Sequence, residues 1–291
     1  MKTIFSTLGL LLLISSTLSA QLFTAIPVTV QQLNNSSAAW GDYDNDGDLD
    51  LVLAGENANT SPLIKIYENQ DGDFQDISAS LPGLSNGSAE WGDYDSDGDL
   101  DLLITGRDEQ LVATSMIFLN DNGTFVDSGI ALPGIMGGEA SWGDYDNDGW
   151  LDIILTGRIV GCGGLATTML FRNETFLNFF IESSLIPGYN QGDVNWGDFN
   201  NDGYTDLVFT GLDGFGVPTT RIYSNNLGIG VFTTNTPPEM PEGLSASTSG
   251  NSVTLNWERA IDAQTPSKGL SYNLYLGTSS ALPDVVSPNS G

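Results

Sequence analysis

Asp42, Asp44, Asp46, Asp48 and Asp50 stand at alternate places in a nine-residue run whose sixth member is Gly47. Alternate carboxylates converge on one centre when the backbone curls, and glycine at that place permits the sharp turn. Such hard oxygen donors suit Ca²⁺, which takes six to eight oxygens at about 2.3–2.6 Å, better than Mg²⁺, which resists an all-protein cage. Positions one, three and five would give side-chain oxygens, position seven its backbone carbonyl, and position nine a carboxylate binding through both oxygens. The run recurs as Asp93, Asp95, Asp97, Asp99 and Asp101, as Asp144, Asp146, Asp148, Trp150 and Asp152, and as Asp198, Asn200, Asp202, Tyr204 and Asp206. One Ca²⁺ per loop is expected, with the fourth site weakest because Asn200 removes a charge. The alternative is a set of solvated turns without an ion, but it leaves like charges crowded together and unpaired. The loops are not helical EF-hands: where that motif needs Glu at its twelfth position, these have Leu53, Ile104, Leu155 or Phe209.

The elements that must hold these loops repeat with them. Each run follows a tryptophan (Trp40, Trp91, Trp142, Trp196), and the spacings are 51, 51 and 54 residues. A fixed period of that size marks a repeat architecture. Tyr67-Glu68-Asn69, Phe118-Leu119-Asn120, Phe171-Arg172-Asn173 and Tyr223-Ser224-Asn225 each end an apolar run, and Phe74, Phe125, Phe176 and Phe232 follow them. Asp71-Gly72 and Asn122-Gly123 are hairpin turn pairs. One unit therefore reads as four short strands. The second strand (Leu49 to Ala54, or Leu151 to Thr156) is apolar on both faces, as in a sheet covered on both sides. Units of this kind, stacked face to face, predict an all-β fold: a β-propeller with about four visible four-stranded blades. The tryptophans and phenylalanines read as packing between blades. Trp150, in a loop position held elsewhere by aspartate, is the aromatic best placed to touch a sugar or a partner. Residues 22–33 resemble a fourth-strand region and are expected to complete a blade at the far end of the chain, which hides sheet edges.

Composition narrows the function. There are 37 acidic residues against 8 basic ones, a formal charge of −29, which disfavours nucleic acid and anionic membrane as partners. The loops hold 17 of those acids, so four divalent cations would offset charge where repulsion is greatest. Histidine is absent, which removes Ser-His-Asp triads, Cys-His pairs and imidazole zinc sites. Cys162 is the single cysteine, so the fold holds without an internal disulfide. Glu90, Glu139 and Asp193, just before the Trp-Gly steps, are acids that the metal loops do not use, and nothing in the sequence pairs them. Lys2, the apolar stretch Leu8 to Ile14 and the small residues up to Ala20 read as a signal peptide over residues 1–20, with no membrane insertion after its cleavage.

With these loops, the preceding Trp-Gly and the following strands that end in Ala54-Gly55, Thr105-Gly106, Thr156-Gly157 and Thr210-Gly211, the chain resembles the FG-GAP/VCBS repeat family, similar to the integrin α-subunit propellers. The resemblance implies Ca²⁺ at the blade hairpins and a secreted, extracellular or cell-surface protein. It also implies a propeller with more blades than the four legible here. The expected division is propeller over 21–235, a Pro-rich linker over 236–242, and a partial domain over 243–291. There Val253 to Trp257 and Ser271 to Leu276 resemble early strands of a fibronectin type III β-sandwich. The function this points to is a calcium-binding adhesion module for a glycan or protein ligand, not an enzyme. The alternatives are a structural spacer in a larger surface protein and a polysaccharide-active enzyme.

Overall fold

The computed structural model describes residue 25 and residues 27–159, 164–175, 178–182, 186–200, 202–227, 239–249 and 252–261. The signal-peptide reading, Cys162, Phe176, Phe232 and Ser271 to Leu276 lie outside the described residues. No helix occurs among the described residues, and none there is long and apolar enough to cross a membrane.

Each acidic loop joins two antiparallel strands, and three of the four repeats build a complete four-stranded meander. The first blade is β1 (Asn34–Gly41), β2 (Asp50–Glu56), β3 (Pro62–Gln70) and β4 (Asp73–Asp76). The second is β5 (Ala89–Gly92), β6 (Asp101–Arg107), β7 (Ala113–Asp121) and β8 (Thr124–Asp127). The third is β9 (Met136–Gly143), β10 (Asp152–Arg158), β11 (Ala166–Thr175) and β12 (Asn178–Glu182). The short β13 (Tyr189–Asn190) bridges β11 to the fourth blade, β14 (Val194–Gly197), β15 (Asp206–Asp213) and β16 (Pro218–Tyr223). This is the propeller-type array that the repeats predict. A separate hairpin of β17 (Ser245–Ser249) and β18 (Ser252–Asn256) lies in the C-terminal region.

The second strand of each blade explains why the array is stable. Successive side chains of a strand point to opposite faces. Leu102 and Ile104 of β6 pack with Val52, Ile64 and Ile66 of the first blade, whereas Leu103 packs with Ile153 and Leu155 of the third. Ile154 of β10 turns the other way, to Val194, Leu207 and Phe209 of the fourth blade. The cores thus lie between blades, and each strand apolar on both faces is shared by two of them.

Two sequence expectations are corrected. The third hairpin is longer than the first two, so Phe179, not Phe176, faces Asn173 as Phe74 faces Asn69 and Phe125 faces Asn120. Residues 27–32 form no strand on a distant blade; instead the Gln31 backbone N–H donates to the Tyr67 hydroxyl of the first blade at 2.9 Å.

Candidate metal centres

The turn that shapes each acidic loop is built from its own side chains. The sixth residue donates its N–H to the first carboxylate: Gly47 to Asp42 at 3.1 Å, Gly98 to Asp93 at 3.2 Å, Gly149 to Asp144 at 2.9 Å, Gly203 to Asp198 at 3.0 Å. These glycines have φ between +89° and +101°, a left-handed conformation that side chains strain to adopt. The curl brings positions one, three and nine together: Asp42, Asp44 and Asp50; Asp93, Asp95 and Asp101; Asp144, Asp146 and Asp152. In each set one carboxylate oxygen from each residue lies within 4.8 Å of the others.

Position five has a part in the turn itself. The carboxylates of Asp46, Asp97, Asp148 and Asp202 accept the N–H of position seven (Asp48, Asp99, Trp150, Tyr204) at 2.8 to 3.0 Å. They stand outside the converging sets. Asp99 also accepts the Asn45 amide of the neighbouring loop, and Asp48 is half-buried. Trp150 is half-buried rather than fully open to a ligand.

Position nine is a structural centre. Asp50 is fully buried and accepts the N–H groups of Tyr43 at 3.1 Å and Asn69 at 2.8 Å. Asp101 does the same with Tyr94 and Asn120, Asp152 with Tyr145 and Asn173, and Asp206 with Phe199 and Asn225. Each oxygen already holds one backbone donor, so a cation bound there would share it with that N–H. Burial lifts Asp50 to about 6, Asp101 to about 7 and Asp152 to about 8. Burial and neighbouring carboxylates also raise Asp44, Asp93, Asp95, Asp144 and Asp146.

The donor set fits a hard cation. Asp42 Oδ1 and Asp93 Oδ1 are buried and have no hydrogen-bond partner, inside clusters that repel a further carboxylate. The fourth loop keeps the turn, but Asn200 spends its amide on Asp202 Oδ2 at 3.0 Å and its oxygen on the Asp202 N–H at 2.8 Å.

The joints between blades hold features that the sequence reading missed. The glycine after each tryptophan seats the next tryptophan: a β-carbon at Gly41, Gly92 or Gly143 would lie 2.5 to 2.7 Å from the ring of Trp91, Trp142 or Trp196. Trp91 stacks on Tyr43, and Trp142 on Tyr94. The side chains of Asn120, Asn173 and Asn225 cross the joint to the carbonyls of Tyr43, Tyr94 and Tyr145 at 2.7, 3.1 and 2.7 Å. A chain of backbone bonds runs from Asn86 N–H to Asn35 C=O, from Gly137 to Asn86 and from Gln191 to Gly137. All four residues have positive φ. Glu139 and Asp193, unpaired on sequence grounds, meet here. Burial first, then a hydrogen bond with Asp193, raises Glu139, which also accepts the Val194 N–H at 3.0 Å. Neither acid lines the cleft of about 390 Å³ bounded by Tyr145, Ile186, Trp196, Leu207 and Tyr223.

Residues 42–104, from the first acidic loop to the second strand of the second blade, match the FG-GAP-like repeat family. No curated protein matches the chain.

Proposed function

We propose that this chain is a secreted, calcium-dependent binding module of the cell surface or extracellular space, with a glycan or a protein as its ligand. The observation that carries the calcium reading is the threefold convergence of Asp carboxylates on one centre, with Asp42 Oδ1 and Asp93 Oδ1 buried and unpartnered. Ca²⁺ would supply positive charge there and pin each hairpin. Its part is structural, since every acid around it belongs to the loop's own turn. The match to FG-GAP-like repeats, typically non-enzymatic binding modules, supports binding rather than turnover.

The test has two arms. Calorimetric titration of metal-free protein should show saturable Ca²⁺ binding with a dissociation constant on the order of 10⁻⁴–10⁻³ M, and little heat with Mg²⁺. Panels of glycans and matrix proteins should then give a ligand that is lost in chelator. No calcium heat at millimolar concentration refutes the metal reading, and calcium binding without any ligand favours a spacer.

Enzymatic cleavage of polysaccharide has one observation in its favour, the close pair Glu139 and Asp193. That pair serves the third and fourth blades' joint and lies outside the described cleft. Hydrolysis of a polysaccharide that Glu139→Gln abolishes, with binding intact, would establish it.

A further inference from the structure

Among the described residues, the three internal joints are built from the same parts, and the two ends of the array carry the unmatched halves. On the leading face, Trp40 is 59% exposed, whereas Trp142, seated on Gly92, is 9% exposed. Asn69, the counterpart of Asn120, Asn173 and Asn225, bonds its amide to the Leu49 carbonyl of its own loop. Among the described residues it has no tyrosine carbonyl of a preceding blade to reach. Asn35 begins the chain of backbone bonds between left-handed residues.

The trailing face is the reverse. Gly197, the counterpart of Gly41, Gly92 and Gly143, has nothing among the described residues within 4 Å of where a β-carbon would stand. Phe199, in the place of Tyr43 and Tyr94, is 59% exposed, while those two are 4% and 0% exposed. Gln191 ends the backbone chain with its carbonyl.

We propose that the leading face of one copy of this chain docks on the trailing face of a second copy. Trp40 then lies over Gly197 against Phe199, the Asn69 amide reaches the Phe199 carbonyl, and the Asn35 N–H reaches the Gln191 carbonyl. The argument is continuity with an interface that the chain already makes three times. The joint is heterologous, so it closes or propagates.

The test is sedimentation velocity of the full chain across a concentration series, in millimolar CaCl₂ and moderate salt. The expected result is reversible self-association, ending at a dimer if the ring closes or growing further if it does not. Trp40→Glu spoils every leading face, and Gly197→Val fills every trailing seat. Either alone should weaken association at least about tenfold, as for the loss of an interface anchor. Mixed together, the variants still offer one sound leading face and one sound trailing face, so the mixture should recover a dimer with a single joint. Gly197 has ordinary negative φ and open space around it, so its variant keeps the fold and decides the matter if Trp40→Glu does not. A wild-type chain that stays monomeric, variants that associate as well as wild type, or a mixture no better than its parts overturns the proposal.

Discussion

Asn120 is fastened to Asp101 and to the preceding blade at once: its backbone N–H donates to the Asp101 carboxylate at 2.9 Å, and its side chain to the Tyr43 carbonyl at 2.7 Å. Asp101 also holds the Tyr94 N–H at 3.2 Å, so one buried carboxylate ties together the loop, the third strand and the preceding blade. The putting of a charged group at that centre has a cost, seen in its raised proton affinity, and a cation beside it would relieve the repulsion.

The two roles of the loop acids separate in mutants. Asp101→Ala leaves two backbone donors without partners and should destabilise by about 2–4 kcal/mol even in excess chelator. Asp95→Asn removes one of the converging carboxylates but none of the Asp101 contacts. Its stability in chelator should match or exceed that of wild type, because a like charge is gone. Its added stability in calcium should shrink. Urea titrations with and without calcium measure both.

Calcium should act as a mass-action stabiliser. At a concentration 100 times its dissociation constant, an ion that binds only the folded state adds about 2.7 kcal/mol per site. The melting temperature should therefore rise steadily with the logarithm of calcium concentration. Asn200→Asp should steepen that dependence, since it gives the fourth loop the carboxylate present at that position in the others. A curve that is flat from chelator to millimolar calcium contradicts this.

Glycines at equivalent places should respond differently. Gly92→Ala drives a β-carbon to 2.7 Å from the Trp142 ring, which must shift, and overpacking of this kind costs about 1–3 kcal/mol. Gly197→Ala meets nothing and should change the stability of dilute protein by less than about 0.5 kcal/mol. Denaturation midpoints of the two variants, compared at low concentration, check the contrast.

The blades were legible because strand period and turn chemistry are local. Asp71-Gly72 and Asn122-Gly123 do form left-handed turns, and the second strands β6 and β10 are buried on both faces. The loops were legible for the same reason, as far as their first, third and ninth acids. What escaped depends on neighbours in space. The left-handed place that links the blades holds Asn35, Asn86, Gly137 and Gln191, residues without a common type. Glu139 meets Asp193 because two blades pack together, which no local pattern records. The role of the glycine after each tryptophan likewise appears only when the next tryptophan is seen above it.

Stability should fall between weakly acidic and neutral pH partly through Glu90. Burial raises this carboxyl from 4.5 to about 7, and Asp193 adds to the rise, while bonds from the Trp142 N–H and the Ser141 side chain oppose it. Glu139 and Asp193 are the other acids that face it, and each disfavours its charge. The folded state therefore holds a proton that the unfolded chain releases. The associated stability is fully present below about pH 4.5 and is lost as pH rises through about 7. Glu90→Gln can still accept the Trp142 N–H but never ionises. It should match wild type at pH 4.5 and exceed it by about 1–3 kcal/mol at pH 8. Because Asp50, Asp101 and Asp152 of the acidic loops are also raised into this range, the quantity to read is the variant-minus-wild-type difference at each pH, measured in chelator. A difference independent of pH would mean that Glu90 is not protonated in the folded protein.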